Sequence, residues 1–498
     1  MGIIIRQSLR GSFWSYFGLI IGYINMGIIM PRVLQTDQIG FIQLFAAIAV
    51  LFSRFASLGF PSVINRMFPF FRNKKYGNNG FLFLAFITVL LGFLLSVIAF
   101  FILKPNILES NLEQSPLIVE YIGLLIPVVF FRILFLILDN YNKVLYDAVT
   151  GTFWNEFVHK TINLLLIVAV AIDLIEFRQF FFGYIVSLSL PAIPLIFTLL
   201  KKGEFNLKPN FKFLSKTLIK EIIVVSLFGL ANGFSGILTT NIDKVFINHY
   251  LSLEEVGIFS VCALFATIIL IPSKAIKNIS TGIIAQAWKK NNIKHIRDIY
   301  LKASLNQSIL GSLIFMGLIV NLNNIFTILP EEYGAGRLVI IIYSLGVLIR
   351  VSNTNSGVIL VTSKYYKALT YIILLQVGVA VLANMFFIPR YGIEGAALAV
   401  LSTYLFRTIL ITIYIKVRFN LFCYTRNHIF IILIALVSIV VGFALPETEK
   451  LIPDILIKSI PAGLIFMGLI LVLQLSEEMN NLYKQLLNTI IRVKNYFW

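Results

Sequence analysis

The chain has 498 residues, of which 58% are hydrophobic and only 13% are charged, and its mean hydropathy is +0.90. Because soluble globular proteins carry about 25% charged residues, this composition excludes a chain built from ordinary soluble domains. The formal net charge of +18 would favour nucleic-acid binding in a soluble protein. In a membrane protein, the same charge instead marks the loops that stay in the cytoplasm.

Apolar stretches long enough to cross about 30 Å of hydrocarbon recur from one end of the chain to the other. Residues 11–30 are expected to remain as a helix, because no small-residue cleavage site of the signal-peptide kind follows them. The sequence therefore predicts an all-α polytopic membrane protein with about fourteen transmembrane helices. These predicted spans are 11–30, 38–60, 80–103, 117–138, 153–172, 180–200, 218–242, 255–275, 303–326, 338–361, 368–388, 393–415, 428–446 and 455–475.

The distribution of basic residues predicts how this bundle is oriented. If the N-terminus is cytoplasmic, 29 of the 41 Lys and Arg residues fall in cytoplasmic segments or at the cytoplasmic ends of spans, and 7 fall in outer loops. The outer loops are acidic instead, with pairs such as Glu254 and Glu255. An even number of spans and the positive-inside rule together place both termini in the cytoplasm. The basic loops are then expected to face membrane lipids, and we expect no nucleic-acid partner.

An internal repeat divides the chain into two lobes. The segment Leu34–Phe41 recurs as Leu251–Ile258, 217 residues later, and this offset carries spans one to six close to spans seven to twelve. Chance similarity among apolar helices is the alternative explanation. The repeat predicts two six-helix lobes in the same orientation, an arrangement used by alternating-access transporters. The lobes are 1–200 and 218–415, with a cytoplasmic linker at 201–217 and two further helices within 428–475.

The last segment, 476–498, differs from the spans. Its apolar residues recur at helical spacing, with polar and basic residues on the opposite side. This pattern predicts an amphipathic helix on the cytoplasmic leaflet; a helix that docks a partner protein is the alternative. The apolar residues are Met479, Leu482, Tyr483, Leu486, Leu487, Ile490 and Ile491.

Two junctions in the second lobe resemble those of a known transporter family. They are Pro389–Ala399 (PRYGIEGAALA), and Asn241–Lys244 (NIDK) leading to Glu255–Ser260 (EVGIFS). In combination with fourteen spans, they resemble the polysaccharide transporter family of the multidrug/oligosaccharidyl-lipid/polysaccharide exporter superfamily. The similarity in organisation covers nearly the whole chain.

The resemblance implies both a substrate and a location. Members of this family are flippases that carry undecaprenyl-pyrophosphate-linked oligosaccharides, such as O-antigen units, across the bacterial inner membrane. Transport runs from the cytoplasmic to the outer leaflet, by alternating access through a central cavity. The resemblance implies no enzymatic activity and no cofactor apart from a coupling ion, H⁺ or Na⁺. It also implies the polymerase or the glycosyltransferases of the same glycan pathway as partners.

Four arginines lie well inside the predicted spans: Arg54, Arg132, Arg350 and Arg407. An arginine at the centre of a membrane helix costs about 2.5–3.5 kcal/mol on insertion scales, so it normally faces a cavity or a partner. The predicted spans hold no acidic residue at a similar depth, and an anionic ligand would supply the missing counter-charge. Arg54 and Arg132 lie closer to the cytoplasmic headgroups, which their side chains could reach instead.

The repeat relates two of these arginines. Adding 217 residues to Arg132 gives position 349, one residue before Arg350. We therefore expect the two to be equivalents that face each other across the cavity. A guanidinium group binds phosphate through two parallel hydrogen bonds, so such a pair could bridge a pyrophosphate.

Polar side chains in the spans are the candidate sugar contacts. The main ones are Asn25, Asn232 and Asn353, although hydrogen bonding between helices is the ordinary role of such residues. Asp243 and Lys244 lie at the outer end of the seventh span. They predict either an outer gate closed by a salt bridge or a coupling-ion site.

Two other functions are less consistent with the sequence. A cation-coupled multidrug exporter of the same superfamily would be expected to carry a membrane-embedded carboxylate, often in the first helix, but residues 11–30 contain no Asp or Glu. A membrane-embedded glycosyltransferase or acyltransferase lacks a recognisable catalytic motif. Glu156 and His159 have the spacing of a metal-binding pair, but two ligands alone are a weak signal.

Overall fold

The computed structural model describes residues 3–111 and 115–497. Within these residues all regular secondary structure is helical, and no strand is formed. The helices of the first half are α1 Ile3–Ile24, α2 Met30–Val33, α3 Thr36–Ala56, α4 Phe60–Phe71, α5 Phe81–Asn111, α6 Pro116–Tyr121, α7 Leu125–Val144, α8 Val149–Thr152, α9 His159–Ala171, α10 Phe177–Ser189, α11 Ala192–Lys201 and α12 Lys216–Tyr250. Those of the second half are α13 Leu253–Thr267, α14 Leu270–Lys289, α15 Ile293–Val320, α16 Leu322–Ile328, α17 Arg337–Ser352, α18 Thr354–Thr362, α19 Tyr366–Phe419, α20 Arg426–Ala444, α21 Leu451–Val472 and α22 Glu477–Phe497.

The chain is a multi-pass membrane protein, as its composition predicts. In the described residues, 11 helices are long and apolar enough to cross a membrane, or 12 if the bent pair α13 and α14 counts as one span. Two features separate this number from the predicted fourteen. Predicted spans eleven and twelve form the single helix α19, which bends at Gly392 (φ +58°, ψ −137°). The predicted fifth span is helical, but its first half is polar and includes Glu156 and Lys160.

The chain forms two compact units, Met1–Val261 and Cys262–Trp498. The first unit includes α12, which the repeat assigns to the second lobe. This helix packs against α3 and α4. Their contact is close because Gly59 (φ +71°) and Gly229 carry no side chains: a Cβ atom at Gly59 would lie 2.0 Å from the Ser226 carbonyl oxygen. The predicted lobe boundaries describe sequence equivalence and stay a prediction.

The two copies of the repeated segment meet each other inside the first unit. A Cβ atom at Gly40 would lie 1.8 Å from the carbonyl oxygen of Leu253, and one at Gly257 would lie 2.0 Å from that of Thr36. Gly40 and Gly257 are 217 residues apart in the sequence, and so are Thr36 and Leu253. The contact is therefore reciprocal, as expected where two copies of a repeat face each other across a two-fold axis.

The first unit also contains two π-helical turns, Asn25–Ile29 and Phe153–Val158. They interrupt the first and fifth predicted spans. Gly18 of α1 lies directly against the second turn, since a Cβ atom there would be 2.0 Å from the Glu156 carbonyl oxygen. Such turns widen a helix and occur frequently at functional sites.

The second unit holds a buried ion pair near the start of α21. Lys458 is 3% exposed, and its ammonium group lies 3.0 Å from Asp454 and 2.9 Å from Glu447. Asn324 also donates a hydrogen bond to Asp454, at 2.7 Å. Hydrogen bonds from Lys458 and Asn323 hold the pKa of the exposed Glu447 below its ordinary value. This network ties α16 to α21.

The predicted tail helix is present as α22. At its start, Lys302 of α15 forms salt bridges with Glu477 at 3.4 Å and Glu478 at 2.6 Å. Met479 packs against the apolar cluster of α15, α20 and α21, whereas Leu482 is exposed. Tyr483 is exposed as well. The side chains of the remaining predicted apolar positions, Leu486, Leu487, Ile490 and Ile491, lie outside the described part of the structure.

Candidate anion-binding cavity

The second unit contains a cavity of about 250 Å³ with an unusually basic lining. Three helices supply the charges: α14, α17 and α19. Four of the lining side chains are cationic and none is acidic. The lining residues are Leu270, Ser273, Lys274, Lys277, Arg350, Asn353, Thr354, Ser356, Arg407, Thr408 and Ile411.

Arg350 lies in the last turn of α17 and is fixed by one aromatic neighbour. Its Nη1 donates a hydrogen bond to the hydroxyl oxygen of Tyr404 at 2.9 Å. The guanidinium carbon also lies 4.9 Å from the centre of the Tyr404 ring, a distance at which a cation–π contact is favourable. Tyr404 is itself buried. These contacts orient the Arg350 side chain before any ligand arrives.

Arg407 of α19 is in a different situation. Its Nε is buried and has no hydrogen-bond partner among residues 3–111 and 115–497. The side chain packs beside Gly357, where a Cβ atom would lie 3.6 Å from Arg407 Nη2. A half-buried guanidinium that lacks acceptors is unfavourable, so this group is suited to binding an anion.

Two lysines of α14 complete the basic lining. Lys274 and Lys277 are three residues apart and therefore project from the same side of the helix. Lys277 is close enough to Arg350 and Arg407 for both guanidinium charges to act on its ammonium group. In the described part of the chain, neither lysine side chain has a salt-bridge partner within 4.0 Å. The cavity therefore concentrates four positive charges without internal neutralisation.

Asn353, a predicted sugar contact, lines the same cavity, but the protein forms hydrogen bonds with both its Nδ2 and its Oδ1. Its Nδ2 donates to Thr412 Oγ1 at 2.7 Å, and its Oδ1 accepts from the Tyr300 hydroxyl at 2.8 Å. The sulfhydryl of Cys423 is a weaker donor to the same oxygen, at 3.7 Å. These bonds join the end of α17 to α15 and α19, which is a structural role.

Replacing Asn353 with alanine is therefore expected to reduce stability rather than to change substrate recognition. The substitution leaves the buried hydroxyls of Tyr300 and Thr412 without this partner, at a cost of about 1–3 kcal/mol. Thermal unfolding in detergent would measure it, with Thr354→Ala as a matched control on the cavity wall. If Asn353→Ala protein keeps wild-type stability but loses transport, the structural role is refuted.

Arg132 and Arg54, the other predicted arginines, lie in the first unit and have protein partners nearby. Arg132 Nη1 donates to Asn155 Oδ1 at 3.4 Å, and Glu156 contributes a further electrostatic attraction. The carboxylate of Asp139 attracts the guanidinium of Arg54 electrostatically. The predicted pairing of Arg132 with Arg350 joins two units and stays a prediction.

The remaining predicted polar residues are scattered through the first unit. The Oδ1 of buried Asn25 has no hydrogen-bond partner in the described chain, and it lies at the first position of a π-helical turn. Asn232 donates to the Phe228 carbonyl oxygen within α12, at 3.0 Å.

Asp243 and Lys244 adjoin in sequence, but their side chains take separate partners. Asp243 is buried, and its Oδ1 accepts a hydrogen bond from the backbone amide of Lys244 at 3.0 Å. The ammonium group of Lys244 donates instead to Gln43 of α3, at 3.2 Å. No salt bridge joins the two side chains in the described residues. The arrangement links α12 to α3, and the choice between gate and ion site stays open.

Sequence reasoning missed several members of these clusters. Hydropathy ends the eighth predicted span at residue 275, so Lys274 and Lys277 count only among the cytoplasmic basic residues that set the topology. Asp139 was missed because the fourth span was ended one residue before it. The signal that could have found the lysines is their spacing: two cations three residues apart share one helix face.

The suggested metal pair is explained by ordinary packing. His159 Nδ1 lies 3.0 Å from Ser187 Oγ, and Glu156 forms a salt bridge with Lys160 at 3.0 Å. Across the described residues, no group of three or more His, Cys, Asp or Glu side chains could hold a metal ion.

Comparison with known proteins gives matches in structure only. No protein-family model matches the sequence, and no curated protein matches it significantly. The fold matches the lipid II flippase MurJ in an inward closed conformation, with a TM-score of 0.72 at 13% identity over 92% of this chain and 98% of MurJ.

Multidrug transporters give similar results. An inward-facing MATE family transporter of the MOP superfamily matches with a TM-score of 0.62 at 13% identity, over 81% of this chain and 94% of that one. A MATE structure in complex with MaL6 matches with a TM-score of 0.55 at 13% identity, over 84% and 96%. This chain is therefore a multi-pass membrane protein with the fold shared by the MurJ flippase and the MATE transporters of the MOP superfamily.

Proposed function

We propose that the protein is a flippase for undecaprenyl-pyrophosphate-linked oligosaccharides, which it moves from the cytoplasmic to the outer leaflet of a bacterial inner membrane. The observation that carries the proposal is the basic cavity of the second unit. Its four cations lack acidic neighbours among the lining residues, so it favours an anionic group such as a pyrophosphate. The proposal places both termini in the cytoplasm and includes a coupling ion, H⁺ or Na⁺. The polymerase or glycosyltransferases of the glycan pathway are the proposed partners.

A multidrug exporter is the second candidate, because MATE transporters share the fold. The charge of the cavity argues against it: a cationic drug would be repelled by Lys277, Arg350 and Arg407. An exporter of this kind would also need an acidic residue in its binding cavity, and none lines this one.

A flipping assay in proteoliposomes separates the two candidates. The purified protein is reconstituted with a fluorescent lipid-linked oligosaccharide pyrophosphate, and a membrane-impermeant reductant quenches the fluorophores that reach the outer leaflet. We expect quenching well beyond the half accessible in protein-free vesicles. Transport of ethidium without any lipid flipping would instead identify a drug exporter.

The arginines can be tested in cells. We expect Arg350→Ala and Arg132→Ala to reduce the surface glycan that lectin or antibody staining detects, because each removes a positive charge from the membrane interior. Drug susceptibility should stay unchanged. Unimpaired glycan export in both variants would refute a role for these arginines in carrying the substrate.

A further inference from the structure

The cavity of the second unit contains cations of two kinds. Arg350 is already hydrogen-bonded to Tyr404, whereas the side chains of Arg407 and Lys277 have no hydrogen bond or salt bridge in the described residues. We propose that Arg407 and Lys277 are the direct ligands that select a diphosphate over a monophosphate headgroup, and that Arg350 is a positioning residue. This inference rests on the proposed function, because it concerns the headgroup of the same substrate.

Arg407 is the available guanidinium. A planar guanidinium binds a phosphate group best along an edge, through two parallel N–H donors. The Nε of Arg407 is buried and unpartnered in the described residues, so the edge that a ligand can reach from the cavity is the one formed by the two Nη groups. The Arg407 side chain makes no hydrogen bond or salt bridge there. A phosphate group on the paired Nη donors would supply acceptors and neutralise the charge at the same time.

Lys277 supplies a second, separate contact. It lies on α14 and differs from Arg407 in how it binds. The guanidinium of Arg407 has donors in fixed directions, whereas the ammonium group of Lys277 is a compact charge on a flexible side chain, with three donors that can turn toward a ligand. Its side chain is accessible to solvent in the cavity, and the charges of Arg407 and Arg350 act on it. An anion between Lys277 and Arg407 would replace this repulsion with two attractions.

Arg350 differs from both because Tyr404 already holds it. The hydrogen bond of 2.9 Å and the ring contact of 4.9 Å use one donor and one face of the guanidinium. Its charge raises the potential of the cavity and so assists any anion. Its geometry, however, is set by the protein and not by the number of phosphate groups in the ligand.

Two separate cationic side chains favour a headgroup with two phosphate groups. A monophosphate can satisfy the Arg407 edge or approach Lys277, whereas a diphosphate presents one phosphate group to each. A phosphate monoester carries about −1.5 to −2 charges at pH 7, and a diphosphate that is esterified at both ends carries a similar charge. A preference between two such ligands therefore reports the number of phosphate groups and not the total charge.

Binding of two short, soluble probes tests this inference. The probes are geranyl monophosphate and a geranyl diphosphate whose second phosphate carries a methyl ester, titrated calorimetrically into the purified protein. We expect the wild type to bind the diphosphate at least about tenfold more tightly. Lys277→Gln should remove most of this preference by weakening diphosphate binding alone. Arg407→Lys should weaken both ligands about tenfold, because it keeps the charge but loses the paired donors.

Matched variants separate contact from positioning. Lys289→Gln removes an exposed charge from the end of the same helix and should change nothing. Tyr404→Phe frees Arg350 and should weaken both probes by a similar factor, so that the preference is retained. Lys277→Arg restores a cation and should recover most of the diphosphate preference.

The outcomes that overturn the inference differ from those that overturn the proposed function. If Lys277→Gln weakens both probes equally or weakens neither, Lys277 does not select a diphosphate. If Tyr404→Phe removes the preference, Arg350 is a direct ligand and not a positioning residue. If wild-type protein binds neither short probe, this inference fails, whereas the proposed function fails only if the proteoliposome assay shows no flipping.

Discussion

Replacing Arg407 with alanine is expected to abolish lipid flipping while leaving the folded protein at least as stable as the wild type. Transport is lost because the cavity loses the guanidinium that no described residue engages through a hydrogen bond or an ion pair. A charge-assisted hydrogen bond contributes about 1.5–3 kcal/mol, so the loss of two to phosphate lowers affinity by a factor of 100 or more. Stability is retained because no described ion pair is broken and a half-buried charge without a counter-charge is removed.

The measurement pairs the flipping rate in proteoliposomes with thermal unfolding in detergent. Arg418→Ala is the control on the same helix, since Arg418 is exposed and lies outside the cavity lining. Arg407→Lys should retain part of the rate. A large fall in the unfolding temperature of Arg407→Ala protein would show that Arg407 is structural, and wild-type flipping would exclude it from the substrate path.

The second large effect is expected from the glycines of the repeated segment. In Gly40→Ala protein the new Cβ atom would lie 1.8 Å from the backbone carbonyl oxygen of Leu253, a distance that no flexible side chain can relieve. The helices α3 and α13 must move apart, which costs about 1–3 kcal/mol and exceeds this range if the backbone is rigid. Gly257→Ala should have a similar effect, because its clash with Thr36 is the repeat-related one.

Thermal unfolding measures this effect, with Gly233→Ala as the control. Gly233 lies on α12 in the same unit, and no atom lies within 4 Å of its missing side chain. Because alanine favours helix over glycine by up to about 1 kcal/mol, the control should be neutral or slightly more stable. The two clashing substitutions should not add in a double variant, since one separation of α3 from α13 relieves both. Additive losses would contradict a single shared contact.

The sequence could predict the fold class because hydropathy and charge act over whole segments. A segment in lipid must pair its own backbone groups, and a run of about twenty apolar residues does so as a helix. The predicted spans accordingly lie in helices, several of which are broken. The position of a break inside a helix depends on one or two residues, and hydropathy averaged over a segment does not reveal it. Leu58 and Gly59 adopt positive φ angles and separate α3 from α4, where hydropathy indicates one continuous span to residue 60.

The candidate site could be predicted only in part, for a physical reason. Arg350 and Arg407 were found because a charge deep in an apolar stretch is costly and therefore conspicuous. Lys274 lies at the end of an apolar stretch and Lys277 just beyond it, where basic residues are common at the cytoplasmic face. Only the continuation of α14 to Lys289 brings them beside the arginines. The hydrogen bonds of Asn353 are formed with residues that are distant in the sequence, Tyr300 and Thr412, and no local sequence pattern reveals them.

The packing of α12 bears on how the protein is made. Membrane helices enter the bilayer in the order in which the ribosome releases them, and an early domain folds first when its parts are all present. Here the surface of α3 and α4 that surrounds Gly59 is completed only by Ser226 and Gly229, which are synthesised well over a hundred residues later. The first unit thus remains incomplete in the bilayer until slightly more than half of the polypeptide has been translated, because it extends to Val261. A ribosome that stalls between the sixth and seventh spans would leave this surface open to lipid or to other proteins that handle unfinished membrane chains.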